Sequence, residues 1–165
     1  MRVQRLTVDL TEYPDLVVIY LGLRVNRLRG LRRLRELGPQ ISRSAAERPN
    51  GLLNHEMLLY SAFPLHVGMR QYWRDLDSLE AWTRSDPHRS WWRDFLRDTG
   101  GTGFWHETYL MRGGMEAIYD DIPQQRGLAA FAPGLPAVGQ QFSARGRAGD
   151  QTPSPRPVIE ETELG

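Results

Sequence analysis

Residues 14–111 alternate between β-branched or aromatic runs and stretches whose apolar positions fall three and four apart, and each change of period marks an element. Pro14–Val25, containing DLVVIYLGLRV, predicts a first strand, too short and wrongly spaced for a buried helix. Leu28, Leu31, Leu34 and Leu37 then recur at helical spacing in RVNRLRGLRRLREL, and Gly38-Pro39 predicts the end of that helix. Ser42–Gly51 reads as a loop closing in the tight turn Pro49-Asn50-Gly51. Residues 52–73 form two strand-like runs parted near Phe63-Pro64, a predicted β-hairpin. Leu53, His55, Met57 and Leu59 share a face of its first strand, and Leu65, Val67, Met69 and Gln71 share one of its second. Asp77-Ser78-Leu79-Glu80 is a capping-box pattern opening a second helix with Leu79 and Trp82 inward. Ser85-Asp86-Pro87 restarts that helix, which runs through Leu96 to Gly100-Gly101. Phe104–Met111 alternates as a fourth strand. The order β-α-β-β-α-β predicts a ferredoxin-like α+β fold.

Helices on one face of a four-stranded sheet leave the other face to be covered, and a homodimer is the expected means. After Gly113-Gly114, MEAIYDDIP can form one more turn or short strand. GLAAFAPGLPAVGQQFSARGR then reads as an extended C-terminal arm with apolar anchors at Phe131, Leu135 and Phe142. We expect one domain over residues 1–147, its arm beginning about 114, and a disordered tail over 148–165 rich in Pro, Glu and Thr.

Composition narrows the chemistry. The chain has no cysteine, which removes disulfides, thiolate nucleophiles, iron–sulfur clusters and thiolate-ligated haem. All 21 of its Lys and Arg positions are arginine, so no lysine can form a Schiff base. A net charge of +1 gives no global case for nucleic acid. The arginines between Arg24 and Arg35 read as a solvated helix face, since no aromatic stacking platform accompanies them. No apolar run approaches membrane-spanning length. Asp9, Glu12 and Asp15 interrupt any signal-peptide pattern in residues 1–25, so a cytoplasmic protein is expected.

All five tryptophans fall between Trp73 and Trp105, and His88 and His106 lie in or beside the same stretch. His88 opens a helical segment with Trp91, Trp92 and Phe95 at i+3, i+4 and i+7, so it faces the sheet with the apolar stripe. Desolvation and the helix N-terminus both disfavour the imidazolium there. A neutral imidazole among aromatics suits an axial haem ligand or a satisfied core histidine. His106 shares a strand face with Phe104, Thr108 and Leu110, and pairing of the last strand with the first turns it toward the helix bearing His88. His55-Glu56 and His106-Glu107 could each give only one member to a mononuclear metal site, because neighbours in a strand point to opposite faces. His66 reads as a surface or hairpin residue.

SLEAWTRSDPHRSWWRDF followed by GFWHETY resembles the dimeric α+β barrel superfamily, and within it a group of monooxygenase-like domains, over about Leu16–Arg147. The same residues are similar to the haem-containing aldoxime dehydratases. That resemblance implies haem b, with His88 as the axial iron ligand, Trp91, Trp92 and Phe95 around the macrocycle, and His106 as a distal histidine that moves protons. Those enzymes also use a distal serine and arginine from a second, related domain, for which Arg70, Ser61 or a residue of the partner subunit are the candidate substitutes here. The leading expectation is therefore a haem-binding enzyme acting on a small organic substrate by dehydration or oxidation. One alternative is a cofactor-free monooxygenase with His106 or His55 as base toward an electron-rich aromatic. The other is a non-catalytic protein holding a hydrophobic ligand.

Overall fold

The computed structural model describes residues 4–111, 115–117, 119–120, 127–147, 149 and 161–164. The chain forms two compact units, residues 15–110 and residues 1–14 with 111–165. The second unit holds a strand absent from the sequence reading, β1 (Arg5–Val8). At four residues, with an arginine and a threonine among them, RLTV is too short to show a period. It pairs antiparallel with β6 (Tyr119–Asp120) and β7 (Gly134–Pro136), so the arm supplies both neighbours of the N-terminal strand. Of the arm's anchors, Phe131 meets the Tyr13 ring edge-on at 5.1 Å, Arg5 lies over the Phe142 ring, and Leu135 is on β7. Arg147, in the short helix α4 (Ala144–Arg147), donates to the carbonyls of Gln141 and Phe142 and pairs with Glu116. Most of the expected disordered tail, 148 and 150–160 with 165, lies outside the described residues; 161–164 form a single 3-10 turn.

The larger unit is the ferredoxin-like core. An antiparallel sheet runs in the order β3 (Leu52–Ala62), β4 (Leu65–Trp73), β2 (Val17–Val25), β5 (Thr102–Leu110). α1 (Arg29–Ala46), α2 (Leu76–Arg84) and α3 (His88–Arg97) complete it. The register puts His55, Gln71, Ile19 and Thr108 side by side, and likewise Met57, Met69, Leu21 and His106 one step along. Those rows form the helix-facing side, and Val17, Ile19, Trp73 and Leu79 make its buried core with Leu52 and Trp82 against them. The opposite side carries Tyr20, Gly22, Arg70, His66, Trp105 and Tyr109. There Trp105 Nε1 donates to His66 Nε2 at 2.9 Å across Gly22, where a Cβ would sit 2.3 Å from the indole nitrogen. His66 is thus on the hairpin, as one of the two expectations had it, but as a half-buried acceptor rather than a surface residue.

Two helix boundaries differ from expectation. α1 passes through Gly38-Pro39 to Ala46. Proline removes one backbone donor, but Leu37 and Ile41 on either side of it face the same apolar pocket, and that packing carries the helix onward. Its inward phase is set by Gly30, Leu37, Ile41 and Ser44, which leaves Leu28 and Leu31 exposed. Gly30 is required for close approach, because a Cβ would meet the Gly101 carbonyl oxygen at 2.7 Å. α2 opens two residues before the expected box: Asp75 is its N-cap, its side chain accepting from the Ser78 N–H at 2.7 Å. The hydroxyl of Ser78, then that backbone bond and the Arg74 guanidinium, hold the Asp75 carboxyl down to about 2, well below the usual carboxylate range.

Candidate active site

A cleft of about 470 Å³ lies between the sheet and the two helices α2 and α3. Ile19, Leu21, Gln71, Phe104, His106 and Thr108 form its strand side, while Leu79, Trp82, Arg84, His88 and Trp92 are among its helical lining. An adjoining apolar pocket of about 90 Å³ shares Leu21, Trp82, His88, Trp92 and Phe104 with it and adds Trp91, Phe95, Leu37 and Ile41. His88 therefore stands where the two meet.

The turn from α2 to α3 fixes that imidazole. The Ser85 hydroxyl donates to the Trp82 carbonyl at 2.7 Å and ends α2, and α3 begins at His88 itself. His88 Nδ1 lies 2.9 Å from the Thr83 carbonyl oxygen. A carbonyl only accepts, so Nδ1 carries the proton and Nε2 carries the lone pair. Among the described residues Nε2 makes no hydrogen bond. The Trp82 and Trp91 rings lie 4.7 and 6.4 Å from the imidazole. Burial lowers the His88 pKa below its ordinary value, opposed by the bond to Thr83. Trp91 Nε1 donates to Gln40 Oε1 at 3.0 Å, tying α3 to the part of α1 beyond Pro39.

His106 lies on the strand side of the same cleft, as its place beside Leu21 requires. It is exposed, its ring is 5.9 Å from that of Phe104, and no hydrogen bond engages it among the described residues. The structure thus brings His88, Trp92 and His106 to one cleft and places Trp91 and Phe95 in the adjoining pocket. Trp92 is 40% exposed, stacked on Phe95 rather than enclosed, so it lines a wall and does not fill a core.

Arg70 and Ser61 do not reach this cleft. Arg70 is on the opposite side of the sheet, held by Glu56 and by the Tyr20 hydroxyl at 3.0 Å. Ser61 caps the hairpin tip through Phe63. His55 is on the cleft side of the sheet but stands behind Gln71, on the outer strand β3. Gln71 is the polar residue that sequence reasoning passed over. Its signal was present: a lone amide in the row Leu65, Val67, Met69, which otherwise faces the core. Among the described residues no three His, Asp or Glu side chains cluster closely enough to hold a bare metal ion.

An α+β domain with a ferredoxin-like antiparallel sheet, helices on one side and a histidine-bearing cleft between the layers defines the class. Residues 16–128 match the monooxygenase af470-like family, and the chain belongs to that family, which is of the dimeric α+β barrel type. No curated protein matches the sequence. An aldoxime dehydratase crystal structure is similar, with TM-score 0.60 and 22% identity over 88% of this chain and 43% of its own. A second aldoxime dehydratase, in complex with butyraldoxime, has TM-score 0.60 and 24% identity over 88% of this chain and 42% of its own. This chain therefore spans less than half the length of either. A cofactor-independent oxygenase from Streptomyces nogalater is similar over 59% of this chain and 94% of its own, at 16% identity and TM-score 0.45, too distant to bear on the chemistry here. Among the described residues no helix is long and apolar enough to cross a membrane.

Proposed function

We propose that this protein is a haem-binding enzyme that works on a small organic molecule in the cleft between His88 and His106. The observation that carries the reading is the His88 tautomer. Its Nδ1–H is spent on the Thr83 carbonyl, and the free lone pair on Nε2 belongs to a ring set among aromatics. Metal-ligating histidines commonly give their second N–H to a backbone carbonyl, which fixes the ring and raises its basicity. The cleft, about 470 Å³, is lined largely by apolar and aromatic side chains, and the sequence offers no competing thiolate ligand. His88 would hold the iron, and Trp91, Trp92 and Phe95 would pack about the group. Arg84, paired with Glu80 at 2.9 Å at the helical wall, would meet its carboxylates.

Bound haem supplies an iron centre able to take the nitrogen of an N–O compound or to activate peroxide. The side chains supply the rest. His106, exposed to the cleft, is the proton carrier: in aldoxime dehydration it would protonate the departing hydroxyl and recover a proton from the carbon, so that R–CH=N–OH becomes R–C≡N and water. The similarity to a butyraldoxime-bound dehydratase makes that molecule the first substrate to try. Reduced, haem-supplemented protein should convert butyraldoxime to butyronitrile, read by gas chromatography. His106→Ala should lower that turnover by about 10²-fold or more while leaving the haem spectrum in place. Equal turnover in His106→Ala would remove His106 from the chemistry.

A second reading is a cofactor-free monooxygenase, favoured by His106, which among the described residues stands unbonded beside aromatic walls that could stack an electron-rich ring. It requires activity that iron chelation and His88→Ala leave unchanged. The assembly we propose is a homodimer, supported by Tyr60 and Tyr109, which leave 40% and 50% of their surface exposed on the side of the sheet away from the helices; the compartment we propose is the cytoplasm.

A further inference from the structure

The cleft contains a built polar anchor at Gln71. Trp73 Nε1–H can only donate, and it points at Gln71 Oε1 from 3.1 Å. The amide is thereby oriented: its nitrogen must face His55 Nδ1, 3.1 Å away, and that ring nitrogen accepts. His55 therefore carries its proton on Nε2, which is buried without a hydrogen-bond partner among the described residues. Burial also holds His55 below its ordinary pKa, against the pull of Glu56, so the accepting form is the one present near neutrality. The chain Trp73→Gln71→His55 runs in one direction and cannot reverse without setting two donors face to face.

Each end of the amide has spent half of its capacity. Among the described residues, one N–H and one carbonyl lone pair remain on a side chain that is only 2% exposed yet lines the cleft. Its neighbour on the next strand is Ile19, which is buried in one core with Trp73 and Leu79, so an unmet amide group there is costly. We infer that Gln71 is the specificity-determining contact of the cleft: its free N–H binds a hydrogen-bond acceptor, oxygen or nitrogen, on an otherwise apolar ligand. Trp73 and His55 are positioning residues that aim it. The inference rests on the reading of this cleft as a ligand site and is independent of whether haem occupies it. It adds a requirement that the two histidines do not impose. The ligand must carry an acceptor at the edge of its apolar body, and a bare hydrocarbon of the same shape is disfavoured.

The test uses the full chain as purified, with its absorption spectrum recorded, and two probes of one shape, α-tetralone and tetralin. Equilibrium dialysis gives the ratio of their affinities in the wild type, in Gln71→Leu and in Gln71→Glu; the glutamate keeps an acceptor for Trp73 but offers no N–H. We expect the preference for the ketone over the hydrocarbon, relative to wild type, to fall about tenfold in both variants, the value of one neutral hydrogen bond. In wild-type protein the Gln71 side-chain amide resonances, assigned by connectivity, should shift with α-tetralone and stay in place with tetralin. That arm decides the matter if neither variant folds. An unchanged affinity ratio, amide resonances indifferent to the ketone, or no retention of α-tetralone by the wild type would each overturn the inference. A missing Soret band in the same sample would count against the haem reading alone.

Discussion

Trp73→Phe tests the core and the anchor together. Trp73 has no exposed surface, and its indole N–H is bonded to Gln71. Phenylalanine keeps the ring but removes about 30–40 Å² of apolar contact, worth about 1 kcal/mol at roughly 25 cal/mol per Å². It also leaves the buried Gln71 oxygen without its donor, which adds about 1–3 kcal/mol. The expected loss is about 2–4 kcal/mol, a fall of about 5–15 °C in Tm for a chain of this size. Urea unfolding followed by circular dichroism measures it. The same change made on a Gln71→Met background should cost about 1–2 kcal/mol less, because no acceptor is then stranded. A loss under about 1 kcal/mol, or an equal loss on both backgrounds, would show that the indole does not orient the amide, and the directional chain through His55 would fall with it.

Two further predictions concern a glycine and pH. Gly68→Ala places a Cβ 2.1 Å from the Leu21 carbonyl oxygen on the neighbouring strand, so it should destabilise by about 1–3 kcal/mol or more in a thermal melt. His55 and His88 both have folded pKa values below that of a free histidine. Unfolding therefore takes up protons, so stability is complete above about pH 6.5 and declines as pH falls through that value toward the folded pKa values. Melts at pH 8, 6.5 and 5 should show the decline, and His88→Phe should flatten it. The Asp75 carboxyl titrates near pH 2 and does not contribute in this window.

What the sequence discloses depends on how local the determinant is. The hairpin around Phe63-Pro64 was legible because turn and strand periods lie within one segment, and the sheet register then placed His106 opposite α3 as the element order implied. His88 was legible for the same reason, since its relation to Trp91 and Phe95 is one of helical spacing. The continuation of α1 past Pro39 was not, because what sustains it is Leu37 and Ile41 packing into a pocket completed by other elements. Nor was β1, whose partners lie more than a hundred residues away. The Trp73–Gln71–His55 chain joins two strands, and no spacing rule names it; only the oddity of an amide in an apolar row hinted at it. Two of the candidate distal residues, Arg70 and Ser61, lie outside the cleft: Arg70 is one residue out of phase with the cleft face, and a period of two sends it to the far side of the sheet, while Ser61 is held at the hairpin tip.

We propose that His88 presents its Nε2, unbonded among the described residues, to an iron. That proposal is tested most directly by the ultraviolet–visible spectrum of protein expressed with haem precursor supplied, recorded beside His88→Ala. The account predicts a Soret band near ~400–430 nm that collapses in the variant. Wild-type protein that shows no such band after haem reconstitution, or a band that His88→Ala leaves unchanged, would contradict it.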